Sequence, residues 1–286
     1  MASKMRTIFY DFKANVDLEL PSRKRLLKRL GEYDTLAEYT FLAVRDLEAN
    51  WDGNGTHEDY ISAKAKLRNV NLREGVTLSN PEPALIKSFL VNSHAMLEDF
   101  ADQYKIDIKN LINPDFCLDT SDKLSKVERL LIPLQIMGIN PIFPTWLSPV
   151  LKYYRLVRNS VAHNEKEIKS CEDAYEAIDI QKLQTDYPLF AGKAPNNPNE
   201  INIEDFYFYS ACIKHFANYL TMALKGKVNW SNLGYIHDSF NAKKFSKGTQ
   251  PIPLINTVLM QYNHKPSKEE MLRILADIKK QKEEKV

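Results

Sequence analysis

Apolar side chains return with a helical period over much of this chain, and that repeat directs it toward helix-on-helix packing. The clearest case is Leu147, Val150, Leu151, Tyr154, Val157 and Val161, spaced i, i+3, i+4, i+7, i+10 and i+14. Such spacing places all six on one helix face. A helix over 84–105 gathers Leu85, Phe89, Met96, Leu97, Phe100 and Tyr104 within about a third of its circumference. A third long helix, 203–224, is rich in aromatics: Phe206, Phe208, Phe216 and Tyr219. Nine glycines in 286 residues leave little for a turn-dense β architecture. The expected class is all-α.

Punctuation residues divide the rest. Pro21 opens a basic amphipathic stretch over 22–30, and Gly31 closes it. Asp34 then caps a helix running to about Trp51, followed by the break Asp52-Gly53-Asn54-Gly55. Residues 56–82 are polar and end in Asn80-Pro81-Glu82-Pro83. A helix is expected over 122–137, ended by Gly138, and another around 171–183. Residues 226–265 carry Gly226, Gly234, Gly248, Pro251 and Pro253 and read as irregular. Ser267-Lys268-Glu269-Glu270 is a capping box that opens a last helix over 268–284. Thr7 to Phe12 suits a short strand. The expected organisation is an N-terminal, mainly helical extension over 1–82, a helical bundle over 83–225, and an irregular segment with a basic C-terminal helix over 226–286.

Three dispersed cysteines, Cys117, Cys171 and Cys212, give neither a disulfide framework nor a zinc ribbon and fit a reducing cytosol. No apolar run reaches membrane-spanning length, and the N-terminal MASKMRTIFYDF has no signal-peptide core. A cytoplasmic protein without a membrane partner is expected. Net charge is +2, but residues 1–30 carry eight Lys/Arg against three Asp/Glu, and residues 225–286 carry twelve against six. Basic ends on an acidic middle can hold a polyanion or simply solubilise the chain.

The segment that carries chemistry is Tyr153-Tyr154-Arg155-Leu156-Val157-Arg158-Asn159-Ser160-Val161-Ala162-His163-Asn164. It resembles the R-x(4–6)-H motif of the HEPN superfamily. Arg158 and His163 enclose four residues, and Asn159 fills the polar position that family members often place after the arginine. An Arg and a His at any allowed spacing would occur about 0.7 times by chance in this composition, whereas requiring Asn after Arg at this spacing lowers that to about 0.02. The resemblance covers roughly residues 84–225. It implies a HEPN-like helical bundle, metal-independent RNA cleavage without a cofactor, and a composite site in a homodimer. It also implies a role as a bacterial toxin or antiviral-defence effector, with an antitoxin or regulatory partner.

The residue types suit that chemistry. When a 2′-hydroxyl attacks its own phosphodiester, the reaction needs a base, an acid and a cation for the crowded phosphate. Histidine titrates near neutrality and serves as acid or base. Arginine presents a charged planar fork to phosphate oxygens. Asn159 can bond the phosphate or orient the imidazole. Five residues turn an ideal helix through about 500°, so Arg158 and His163 point about 140° apart. Either the helix unwinds near Ala162 or two copies of the motif meet. Arg155, Asn159 and His163 share a stripe at i, i+4 and i+8, which makes Arg155 a second phosphate contact. The same cations also suit a plain helix C-terminus, where they complement the dipole.

His94, Glu98 and Asp102 form a further i, i+4, i+8 set. Glu98 could orient His163 or Arg158, or the set could be a solvated face. His215, beside Ile213 and Phe216, reads as a satisfied, partly buried histidine. Tyr153 and Tyr154 suit core or dimer contacts better than base-stacking platforms. The basic stretch 22–29 and the last helix are RNA-contact candidates. His57, His237 and His264 indicate nothing specific. No P-loop, GxGxxG, GxSxG or HExxH is present. The competing reading is a non-catalytic RNA- or nucleotide-binding module, or a protein-interaction module.

Overall fold

The structure is a computed structural model that describes residues 18–72, 81–163, 168–232 and 251–283. These residues are all-α, with ten α-helices, two short 3-10 turns and no strand among them. The helices are α1 Pro21–Ala49, α2 His57–Leu67, α3 Glu82–Leu111, α4 Lys126–Ile136 and α5 Leu147–His163. They continue with α6 Ile168–Glu176, α7 Ile180–Asp186, α8 Ile203–Ala223, α9 Pro251–Gln261 and α10 Lys268–Glu283. The strand expected over Thr7 to Phe12 lies outside the described residues.

Contacts divide the chain into two compact units: Met1–Arg29, His94–Leu151 and Ala211–Val286 form the first, and Leu30–Ser93 and Lys152–Ser210 the second. Each unit draws on segments far apart in sequence. In the first, Leu97, Phe100, Tyr104 and Ile108 of α3 are buried, as are Phe216 and Leu220 of α8. The Tyr104 hydroxyl donates to the Leu220 carbonyl at 2.9 Å, so the aromatic ring is buried with its polar end satisfied. Arg23 is 1% exposed; its guanidinium donates to both Glu19 oxygens at 2.8 Å and to Asn218 at 2.6 Å. In the second unit, Tyr33, Phe89 and Phe206 pack with ring centroids 5.0 to 6.0 Å apart.

Two helices expected from the sequence prove to be one. α1 runs through Gly31 and Asp34 without a break. Leu30, Ala37 and Phe41 are buried on one face, and burial of that face outweighs the roughly 1 kcal/mol cost of an interior glycine. Asp34 caps nothing; it is buried in mid-helix, where it accepts the Ser210 hydroxyl at 2.7 Å.

Other boundaries shift for identifiable reasons. α4 begins at Lys126, not 122, because Ser125 and Glu128 close a capping box there. Pro133 lies inside α4 and cannot bond the carbonyl of Arg129. That carbonyl instead accepts the Asp119 backbone N–H at 2.9 Å. The helix expected around 171–183 is two helices, with Asp179 capping α7 through the Lys182 N–H at 2.9 Å. α2 and α9 occupy stretches whose sequence reads as polar or irregular. α2 has a Thr56 cap but buries no residue, so it shows no apolar stripe. α9 tolerates Pro251 and Pro253 because both fall in its first turn, where no intrahelical N–H partner is required.

Candidate functional site

α5 is driven into the second unit by consecutive tyrosines. Tyr153 and Tyr154 are fully buried, with their hydroxyls donating to the Asn196 carbonyl and to Asp205 Oδ1 respectively. Both therefore belong to the core. Asp205 is itself buried and also accepts the Asn196 backbone N–H at 2.9 Å, the Asn196 side-chain amide at 2.8 Å and the Asn202 N–H at 2.9 Å. Burial raises its pKa above the usual carboxylate value, and these four donors pull the other way.

Beyond Tyr154 the helix emerges from the core. Val157 is buried, Arg158, Asn159 and Ser160 are half-buried, and Val161 is 41% exposed. Val161 thus leaves the buried stripe expected from the sequence, because the packed part of α5 ends one turn earlier. Arg158 Nη1 donates to Asn159 Oδ1 at 3.0 Å, so Asn159 holds the guanidinium through its own carbonyl. The Ser160 hydroxyl donates back to the Val157 carbonyl at 2.8 Å. Arg155 is half-buried one turn before Asn159. The backbone stays helical through His163, with no unwinding at Ala162; the His163 side chain lies outside the described residues.

The other candidates are placed differently. His94 and Glu98 belong to the first unit, whereas Arg155, Arg158 and Asn159 belong to the second. His94 Nε2 lies 3.5 Å from Glu98 Oε1; His94 is only 3% exposed, whereas the Glu98 and Asp102 side chains are 34% and 48% exposed, so the face passes from buried to solvated along the helix. Asp102 pairs with Lys126. His215 is neutral at pH 7, since burial lowers its pKa to about 4. Its ring meets Trp146 edge-on at 6.4 Å. His57 opens α2 and contacts Glu48 at 3.1 Å. His237 lies outside the described residues. The basic stretch of α1 is largely committed within its own unit: Arg23 to Glu19, and Arg25 and Arg29 both to Asp99.

Sequence reasoning missed a second cluster. The rings of Trp230 and His264 stack at 4.5 Å and 16°, and His264 Nε2 lies 3.0 Å from Glu270 Oε1. Thirty-odd residues separate the two rings in sequence, and only the fold joins them.

Charge divides by unit. The described residues of the first unit carry nineteen Lys/Arg against thirteen Asp/Glu, a net +6. Those of the second carry eleven against seventeen, a net −6. Among the described residues no group of three His, Cys, Asp or Glu side chains is placed to hold a metal, and no helix is long and apolar enough to cross a membrane. Comparison of the chain with family models, with curated proteins and with solved structures finds no match.

Proposed function

We propose that this chain is a HEPN-like endoribonuclease that cleaves RNA by 2′-hydroxyl attack without a metal or other cofactor. The supporting observation is the end of α5, where Arg158 is held by Asn159 on the same emerging turns that lead to His163. In this reading His163 takes the proton of the 2′-hydroxyl as its oxygen bonds phosphorus and returns it to the 5′-oxygen as the P–O5′ bond breaks, Arg158 clamps the phosphate, and Asn159 fixes the fork of Arg158. Arg155 adds a second cation on the stripe shared by Asn159 and His163. His94 and Glu98 have no assigned step.

A continuous helix keeps Arg158 and His163 about 140° apart. One phosphate is therefore gripped by Arg158 of one copy and His163 of another, in a homodimer. A role as a toxin or antiviral-defence effector in the bacterial cytoplasm, restrained by an antitoxin or regulatory partner, follows from the resemblance.

A second reading, a non-catalytic interaction module, is favoured by the net −6 of the unit that carries the motif, a charge that repels RNA. A ribonuclease assay in EDTA separates the two. Wild type, Arg158→Ala and His163→Ala are incubated with total RNA and a tRNA pool, and the product ends are mapped. Cutting that leaves 2′,3′-cyclic phosphates in the wild type and fails in both variants supports the enzyme. Absence of cutting by the folded wild type supports the module.

A further inference from the structure

We infer that the Trp230–His264 stack and the lysines beside it form a contact surface for single-stranded RNA in the first unit. The inference takes from the reading above only that RNA is the partner. The 3-10 turn Trp230–Asn232 packs against α10. It is held there by the Ser231 hydroxyl, which donates to Asp277 at 2.8 Å, and by the Asn229 N–H, which donates to the Leu111 carbonyl at 2.8 Å. The His264 backbone N–H donates to the Leu259 carbonyl at 3.1 Å, and Glu270 fixes its ring. Tyr262 meets Trp230 edge-on at 5.7 Å. Two aromatic rings are thus locked in parallel, with the His264 side chain 26% exposed. Such a pair offers a π-face to a base without ordering a mobile side chain.

Lysines flank the rings in sequence, while the Glu270 carboxylate lies against the His264 ring. Residues 224–232 and 251–268 contain Lys225, Lys227, Lys265 and Lys268 and no Asp or Glu, and all four lysines are exposed. Of the acids that follow in α10, Glu270 is engaged by His264 and Asp277 by Ser231, while Glu269, beside Lys268, and Glu283 are exposed. Aromatic faces interleaved with lysines suit a flexible strand whose bases are free to stack; a paired duplex hides its base faces.

The test measures binding of the full chain to a fluorescein-labelled, 2′-O-methylated single-stranded 12-mer by anisotropy. That probe cannot undergo 2′-hydroxyl attack, so the result is independent of cleavage, and the Arg158→Ala background separates it from binding at that site. His264→Ala is expected to weaken binding about ten-fold while the protein stays folded at the assay temperature, checked by circular dichroism. His264→Phe, which keeps a stacking ring, is expected to bind within about two-fold of wild type. Replacing the four lysines with Glu should abolish binding, and the wild-type log–log salt slope should be no steeper than about −3. Wild type that binds no single strand overturns the proposal, as does binding unaffected by the lysine changes. So does heparin or duplex RNA competing as well as the single strand at equal charge.

Discussion

Asp107 accepts the backbone N–H of Ser22 at 3.0 Å, from a position 85 residues further along the chain. The first turn of α1 contains no acidic residue of its own, so a buried carboxylate on α3 supplies the negative charge that a helix N-terminus favours. Burial raises the Asp107 pKa to about 6, with the Ser22 hydrogen bonds opposing that rise. A pKa raised in the folded state gives stability that is full below the unfolded value near 3.8 and is lost as pH rises through 6. The difference corresponds to about 3 kcal/mol. Wild type should therefore gain melting temperature through this group as pH falls from 8 to 5. Asp107→Asn should show a smaller gain, read by melting both proteins across that range.

In the proposed enzyme Asn159 acts through its bond to Arg158 rather than on the phosphate, so its removal should cost less. Asn159→Ala is expected to lower kcat about ten-fold, and Arg158→Ala about 100- to 1,000-fold. Arg158→Lys keeps the charge but loses the planar fork and should fall between them. Single-turnover cleavage of a defined RNA gives all three values.

Mixing inactive variants tests the shared site. In a dimer that joins Arg158 of one copy to His163 of the other, a heterodimer of Arg158→Ala and His163→Ala contains one intact site. After subunit exchange, equal amounts should recover about a quarter of wild-type activity. A site contained within one chain recovers none.

Asp205 collects donors from Tyr154, Asn196 and Asn202. Asp205→Ala leaves one buried hydroxyl and three part-buried N–H donors without this acceptor and is expected to cost about 2 to 4 kcal/mol. Tyr154→Phe removes one of those bonds and should cost about 1 to 2 kcal/mol. Urea denaturation with an unchanged m-value checks both.

At Gly31 the interior of α1 has open space: a Cβ there would meet nothing within 4 Å. Gly31→Ala should stabilise the protein by about 0.5 to 1 kcal/mol, visible as a higher urea midpoint.

The readable parts of this sequence were helices with one buried face. α3, α5 and α8 announce themselves through apolar residues three and four apart, and the capping box at Ser267 marks the start of α10. Gly31 misled because its local preference was overridden by burial of Leu30, Ala37 and Phe41 on one continuous face. α2 was invisible because it buries nothing and so has no apolar period to detect. Arg158, Asn159 and His163 were legible as a motif, whereas the bond from Arg158 to Asn159 depends on side-chain geometry. His94 gave no sign of its burial, since neighbours that cover a residue come from elsewhere in the chain. The Trp230–His264 stack was hidden for the same reason.

Pro133 has a consequence for how the loop before α4 is anchored. By denying the Arg129 carbonyl its helical partner, it reserves that oxygen for Asp119, while the Arg129 side chain donates back to the Asp119 carbonyl. The two residues close a loop of ten positions with two reciprocal bonds, and one of them needs the helical carbonyl in place. The stretch before α4 is therefore tied to the start of the helix by both bonds, and opening one end should release the other. Hydrogen exchange should report this as matched protection at Asp119 and in the first turns of α4.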